Sequence, residues 1–500
     1  MFFINYAFMR KYVFLILALF SQSIFASIRT YSYPEEIKAS DSYTLTVDGV
    51  SVHVIDNPVP CSFAAFEMEQ AVSVEIESKV TVKWVDVRPL SAGIKPVIKG
   101  DKICFNITKS GNYSIEINGK LSHPLFIFAN PKEVKPSKDD PDVLFFEAGK
   151  VHHPGVIRPK SGQHVYIEGG AYVVGAISAT GVENVRVSGH GIMDGSLNNR
   201  LTQKETAAIF SVDNGYESIG NYQRFIEFID SRNISIEGLI LNNSTTWQVV
   251  PINCDNVSIS RLKLVSDNPS DDGIDIVRSR NVHVKDCFVR VKDDCVAIKA
   301  HLDYPDNVIV DSVLVEQCVF WNAAWGNGLE IGFELHAAEV KNITFRDCDI
   351  IHVESGAVFS IHNSDKAVVS NVLYEDIRIE DVRQKLFDLG IFRSKFCTDG
   401  SSDEAYLSKY ITHDVWDNQL RIPEGKKEEH AKYRGQIKNI TFRNIQVLEG
   451  IYPFSIFIGY DDHHAIDGIT IENLQIYGKR IKSLEELKLH TEFAGNIRIK

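Results

Sequence analysis

Five hundred residues exceed what one compact core usually encloses, so at least two modules, or one elongated module built by repetition, are expected. A content of 44% hydrophobic and 24% charged residues is that of an ordinary folded protein, neither disordered nor membrane-embedded. With 53 Lys and Arg against 66 Asp and Glu, a net charge of −13, a nucleic-acid backbone is disfavoured as the main partner, because that affinity comes from clustered cations.

The first residues read as an export signal. Arg10 and Lys11 precede the apolar run Tyr12 to Phe20, and Ser-Ile-Phe-Ala ends at Ala26, a fitting cleavage point. The run falls short of the ~20 residues needed to span a bilayer. The expectation is therefore a signal peptide over 1–26 and a secreted, periplasmic or cell-surface protein without integral membrane contact. Residues 27–130 then alternate apolar and polar side chains in short runs, among them Tyr43-Thr-Leu-Thr-Val, Val72-Ser-Val-Glu-Ile and Ile103-Cys-Phe-Asn-Ile. These are half-buried strands, separated by turn signals such as Asp48-Gly49 and Asn118-Gly119, and they predict a small antiparallel sandwich of immunoglobulin-like type. The polar, proline-rich stretch 131–141 reads as a linker, so a second domain is placed at 142–500.

That second domain repeats. Asn233-Ile-Ser-Ile-Glu-Gly-Leu, Asn256-Val-Ser-Ile-Ser-Arg-Leu, Asn281-Val-His-Val-Lys-Asp-Cys, Asn342-Ile-Thr-Phe-Arg-Asp-Cys, Asn371-Val-Leu-Tyr-Glu-Asp-Ile and Asn439-Ile-Thr-Phe-Arg-Asn-Ile each give a strand, a corner and another strand, with looser copies at Asn184, Ser312 and Gly468. From Asn233 to Asn371 the copies recur every 23 to 31 residues, a solenoid period. Short strands with single polar corners and almost no helical periodicity predict an all-β chain whose larger part is a right-handed parallel β-helix. Six positions after each aligned residue stand Leu239, Leu262, Cys287, Cys318, Cys348, Ile377, Ile445 and Leu474, the pattern of one inward ladder. The cysteines there are expected as small buried hydrophobes rather than disulfide partners, and the asparagines as a second ladder bonded at a corner. No Cys-x-x-Cys pair suggests a zinc site.

Two adjacent coils carry acids in register: Ser270-Asp271-Asp272-Gly273-Ile274-Asp275-Ile276 and Lys292-Asp293-Asp294-Cys295-Val296-Ala297-Ile298. Alignment sets Asp271 above Asp293 and Asp272 above Asp294, so four carboxylates are expected at one edge. Aspartate and glycine are common in corners, but like charges on successive rungs repel and raise a pKa, which marks a site. Paired carboxylates suit glycosidic hydrolysis, one protonated to release the leaving oxygen and one ionised to activate water.

With Gly326-Asn327-Gly328-Leu-Glu-Ile-Gly332 added, the segments Asn268 to Asp275 and Asp293 to Lys299 resemble the right-handed β-helix hydrolases of the polygalacturonase type, glycoside hydrolase family 28. The resemblance runs from about Asp142 to the C-terminus. It implies Asp293 as the general acid, Asp272 and Asp294 as the carboxylates that hold the attacking water, and inversion at the anomeric carbon, for which acid and base stand roughly 6.5–9.5 Å apart. Where the family has Gly-His-Gly this chain has Asn327, and the Arg-Ile-Lys that grips a galacturonate carboxylate aligns with Ser360-Ile361-His362. Both departures remove cations a uronate would use, which favours a neutral substrate. A β-sandwich ahead of the β-helix is similar to the layout of the dextranase and isopullulanase group, glycoside hydrolase family 49. The resulting expectation is a dextranase-like hydrolase of a neutral α-glycan polysaccharide or oligosaccharide, with a pectin hydrolase, a Ca²⁺-dependent polysaccharide lyase and a non-catalytic glycan-binding protein as alternatives.

Other residues are candidates for substrate contact. Trp325, beside Gly326, is the favoured sugar platform, with Trp247, Trp321 and Tyr304 as further aromatics and Trp247 equally readable as coil core. Gln248, Asn327, Lys299, Glu330 and His362 are candidate hydroxyl or substrate binders. Asp461-Asp462-His463-His464 has metal-ligand chemistry, but neighbours along a strand face opposite ways, so no metal and no cofactor is expected. Long loops over 202–218 and 396–432 suggest a groove closed at one end, hence exo action or a branched substrate.

Overall fold

The structure is a computed structural model that describes residues 28–196, 224–300, 307–400 and 419–500. The expected signal peptide, the 202–218 loop, Tyr304 and the middle of the 396–432 loop lie outside the described residues. Among the described residues no helix is long and apolar enough to cross a membrane.

Two β-sheets form the N-terminal unit, one built around the strands Ser62–Met68, Gly111–Ile117 and Leu125–Asn130 and the other around Tyr43–Val47, Val72–Ser78 and Lys102–Ile107. Alternating side chains such as Leu45, Val47, Val74 and Ile76 fill the space between them. Pairing is antiparallel except between Leu125–Asn130 and Ser62–Met68, which run parallel. The last sandwich strand ends at Asn130 and the next strand begins at Val143.

From Val143 onward 32 strands join in one continuous pairing network of stacked coils. One coil consists of Ile274–Val277, Arg280–Lys285 and Phe288–Val291, and each strand pairs in parallel with its counterpart in the next coil, Val296–Ala300, Ile309–Glu316 and Val319–Asn322. This is the expected parallel β-helix. The inward ladder from Leu239 through the three cysteines to Leu474 is almost fully buried, and all eight cysteines are free thiols. The aligned corner residues Asn184, Asn233, Asn256, Asn281, Ser312, Asn342, Asn371 and Asn439 all have φ between +54° and +59°. Asparagine tolerates this left-handed conformation, and its amide reaches the neighbouring rung: Asn233 donates to Asn184 at 2.9 Å and Asn256 to Asn233 at 2.8 Å. At two rungs an aspartate substitutes as acceptor, Asp255 for Asn281 and Asp311 for Asn342.

The sandwich packs on the outward face of the third strand of successive coils. Phe63, Phe126 and Phe128 meet Ile240, Val265, Phe288 and Trp321 there, and Arg88 closes one edge by pairing with Glu116, Glu380 and Glu449 at 3.1, 2.7 and 3.0 Å. With the third face covered, the acid motifs stand at the mouth of the first face, in the turns that lead into Ile274–Val277 and Val296–Ala300.

Candidate active site

Pairing of Ile274 with Val296 sets the two turns one above the other, and the Gly273 N–H donates to the Asp294 carbonyl at 2.8 Å. Asp272, Asp293 and Asp294 each bring a carboxylate oxygen within 4.8 Å of the others. Asp272 and Asp294 are buried and Asp293 only partly so, which leaves Asp293 as the most accessible member. Gly326 makes the tight packing possible: at φ +60° it lies so near the Asp293 backbone that a Cβ would stand 2.3 Å from the Asp293 carbonyl carbon.

The expected fourth acid is turned away. Asp271 is fully buried and accepts the backbone N–H groups of Lys292, Asp293 and Asn268 at 2.9, 3.0 and 2.9 Å, so it clips the two turns together. Burial raises its pKa to about 6 against the pull of those donors. Its place is taken by Asp275, whose role the sequence did not suggest. The Lys299 ammonium sits 2.9 Å from Asp272 and 3.1 Å from Asp275, 4.0 Å from the centre of the Trp247 ring.

Two carboxylates thus flank one buried ammonium, with Asp293 and Asp294 close by, and crowding of buried acids favours the protonated form of some of them. Burial first, then the charge of Asp272, pushes Asp293 up to about 7, with Lys299 opposing. Burial raises Asp294 well above the carboxylate range, reinforced by Asp293 and Glu330. Asp275 is raised by burial and by Asp272. An accessible carboxyl with a pKa near 7 beside a lysine-paired carboxylate is the split a general acid and its water-holding partner need.

The other candidates divide. Trp325 is 50% exposed beside the trio, with Lys292 Nζ 4.7 Å from its ring centre. Asn327 touches the trio directly, its backbone N–H donating to Asp294 Oδ1 at 2.7 Å. Trp247 is half-buried under Lys299 and Arg224. Several expectations are corrected. Trp321 is fully buried against the sandwich, its ring 5.9 Å from Phe126 and its Nε1 donating to Glu354 at 2.9 Å, so it faces no groove. Gln248 is fully buried and donates to the Asp271 carbonyl at 3.0 Å, so it braces the turn. Lys299 is occupied by two aspartates. Glu330 and His362 are buried and face each other at 3.0 Å, with Asp388 3.3 Å from the far nitrogen of His362. These four support the site from beneath instead of lining it. Strand alternation had placed the side chains on the outer face but did not show which of them a later coil covers.

The trio is one of two groups of ligand-type side chains among the described residues, and Lys299 already places a positive charge beside its Asp272. A second group of ligand-type side chains, Glu67, Glu133 and His190, lies at the seam between sandwich and β-helix, with His190 Nδ1 3.2 Å from Glu67 and 2.8 Å from the Tyr31 hydroxyl. The Asp461 stretch is a turn: Asp461 accepts the backbone N–H groups of His463 and His464 and the His464 ring. The nearest-oxygen distance within the trio is shorter than the 6.5–9.5 Å gap foreseen for inversion, so spacing lends that outcome no support.

A parallel β-helix with three converging aspartates at the entrance to its first sheet resembles the right-handed β-helix glycoside hydrolases of the polygalacturonase type. Residues 163–392 match the model of Glycosyl hydrolases family 28, a span that holds the trio. A polygalacturonase of Cryptomeria japonica is 26% identical over 201 residues, 39% of this chain and 36% of that protein. Polygalacturonase QRT2 of Arabidopsis thaliana is 21% identical over 300 residues, 59% of this chain and 58% of that protein. The chain thus spans less than two thirds of the length of these relatives. Among solved structures, Dex49A from Penicillium minioluteum aligns with a TM-score of 0.63 and 16% identity over 94% of this chain and 96% of its own. A hyperthermoactive exopolygalacturonase from Thermotoga maritima aligns with a TM-score of 0.53 and 19% identity over 71% of this chain and 84% of its own. Both likenesses concern the fold, and the first extends through the sandwich.

Proposed function

We propose that the protein is an exported glycoside hydrolase that cleaves α-glycosidic bonds in a neutral α-glycan by inversion. Asp293, protonated near neutral pH and the most accessible of the trio, donates its proton to the glycosidic oxygen as the bond breaks. Asp272, paired with Lys299, and Asp294 hold a water against the anomeric carbon, and Asp272 accepts its proton. The inverting outcome rests on the family resemblance.

One observation carries the substrate reading. Two cations near the trio are already engaged: Lys299 lies between Asp272 and Asp275, and His362, where the family carries a carboxylate-gripping lysine, lies between Glu330 and Asp388, which leaves Lys292 over Trp325 as the cation a uronate would have to use. A uronate brought to either engaged cation would lose water without gaining a charged partner. The second reading, a pectin-type hydrolase, is favoured by the names of the relatives, several of them polygalacturonases.

A reducing-end screen over dextran, pullulan, galactans and polygalacturonate tests the choice, followed by proton NMR of the first-formed anomer. Release from a neutral α-glucan with an inverted anomer supports the proposal. Release from polygalacturonate alone establishes the second reading, and an unsaturated product absorbing in the ultraviolet rejects both for a lyase.

A further inference from the structure

The coil register sets a line of charged groups on the outward face of the first sheet. Asp275, Ala297, Glu330, Ser360 and Asp388 occupy one column across five successive coils, and Gly332, His362 and Gly390 the column beside it. His362 therefore stands diagonally between Glu330 of the coil before and Asp388 of the coil after. We propose that Glu330, His362 and Asp388 are positioning residues that act through Asn327 to fix the water-holding Asp294 carboxyl and to neutralise the Glu330 charge that faces it, an inference that rests on the hydrolytic reading above.

Asn327 is the joint. Its Oδ1 accepts the Ala357 N–H at 2.9 Å, which fixes the amide so that Nδ2 faces the acids. Nδ2 then bridges Asp294 Oδ1 at 3.3 Å and Glu330 Oε2 at 3.1 Å. An anionic Glu330 so close would drive a proton onto Asp294, and Glu330 is one of the groups that raise it. The His362 imidazolium, 3.0 Å from Glu330, offsets that charge. Asp388 in turn keeps His362 protonated and is itself paired with Lys385.

Burial opposes charge on His362, yet Glu330 and Asp388 outweigh it and carry the imidazole up to about 9. Burial likewise opposes charge on Asp388, and Lys385 with His362 hold it down at about 2. The groups facing Asp294 are Asp293, Glu330, Asp272 and Lys299. Those facing His362 are Glu330 and Asp388, with the Phe333 ring stacked at 4.8 Å and Phe392 edge-on at 5.7 Å. The Ser360 hydroxyl donates to Glu330 on its remaining side.

A network that merely held the coils together would alter stability alone. A positioning network moves the acid limb of the pH profile, because that limb reports ionisation of the water-holding carboxylates. The test is kcat/KM against pH for wild type, Asp388→Asn and Asp388→Glu on the glycan the wild type hydrolyses best, with Tm alongside and imidazole NMR of His362. Asp388→Asn is expected to raise the acid limb by about one pH unit or more, leave the alkaline limb in place and lower kcat with KM held within about twofold. Asp388→Glu restores the profile, and His362 titrates near 9 in wild type. Lys385→Gln, which removes only the outermost partner, gives a smaller shift in the same direction and serves if Asp388→Asn does not fold. An unmoved acid limb in an active, less stable variant overturns the inference and leaves the hydrolytic reading standing. A wild type that hydrolyses no glycan overturns both.

Discussion

Replacing Lys299 with methionine removes the one cation that Asp272 and Asp275 share while keeping most of the side-chain volume over Trp247. At an effective dielectric near 20, unit charges about 3 Å apart attract by roughly 5–6 kcal/mol, and two such pairs more than repay the cost of burying the ammonium. Removing one member of a buried pair typically costs about 3–5 kcal/mol. Spread over the unfolding entropy of a chain this long, that is a fall in Tm of roughly 3–5 °C if the β-helix melts as one unit. The sign with pH follows from the carboxylates. Burial already raises Asp275 and loss of the opposing ammonium raises it further, so the penalty is full at pH 8 and fades as the pH falls toward 4 and the carboxyl takes up its proton. Thermal unfolding of Lys299→Met and wild type at pH 8, 6.5 and 5 measures this, together with activity, which is expected to fall at least about a hundredfold at pH 7 as Asp272 loses its cationic partner. A Tm difference below about 1 °C that is constant with pH would refute the ion-pair account of the site.

Asp293→Asn is expected to stabilise the fold more at pH 8 than at pH 4: the Asp293 pKa is raised to about 7 against an unfolded value of about 4, so the wild type loses stability as the pH climbs from about 4 to about 7 and the neutral amide does not. Differential scanning calorimetry at the two values checks it. Trp325→Ala should raise KM about five- to tenfold with Tm unchanged, an aromatic stack contributing roughly 1 kcal/mol, and an unaltered KM would remove Trp325 from the substrate path. Thiol titration of the unfolded, unreduced protein should count all eight cysteines, and a reductant should leave Tm where it is. A lower count would mean a disulfide.

The solenoid was legible because its corners repeat a conformation. The aligned asparagines all adopt left-handed backbone, and the position six residues later is buried in every copy, so a single alignment carried both ladders. The convergence of Asp272, Asp293 and Asp294 was legible for the same reason, since stacked turns put equivalent residues together. What escaped was the outward face of the first sheet. Strand alternation places Asp275, Glu330 and Asp388 on that face, but their meaning lies in the diagonal contacts with Lys299 and His362 from neighbouring coils, which lie 24, 32 and 26 residues away in the sequence. Charged residues at alternating positions of a strand otherwise bound for burial were the signal available. Asp271 was misread because register fixes where a Cα sits and leaves open which way a turn side chain rotates. Trp321 was misread because the face that the sandwich covers is not marked in the β-helix sequence.

The central claim is that Asp272, Asp293 and Asp294 form a single hydrolytic site. Its most direct test is the release of reducing ends from the preferred glycan by wild type and by Asp293→Asn at equal concentration, with far-ultraviolet circular dichroism confirming that both are folded. The account predicts turnover by the wild type and a loss of at least about a thousandfold in the folded variant. A folded Asp293→Asn protein that cleaves as fast as the wild type would contradict it.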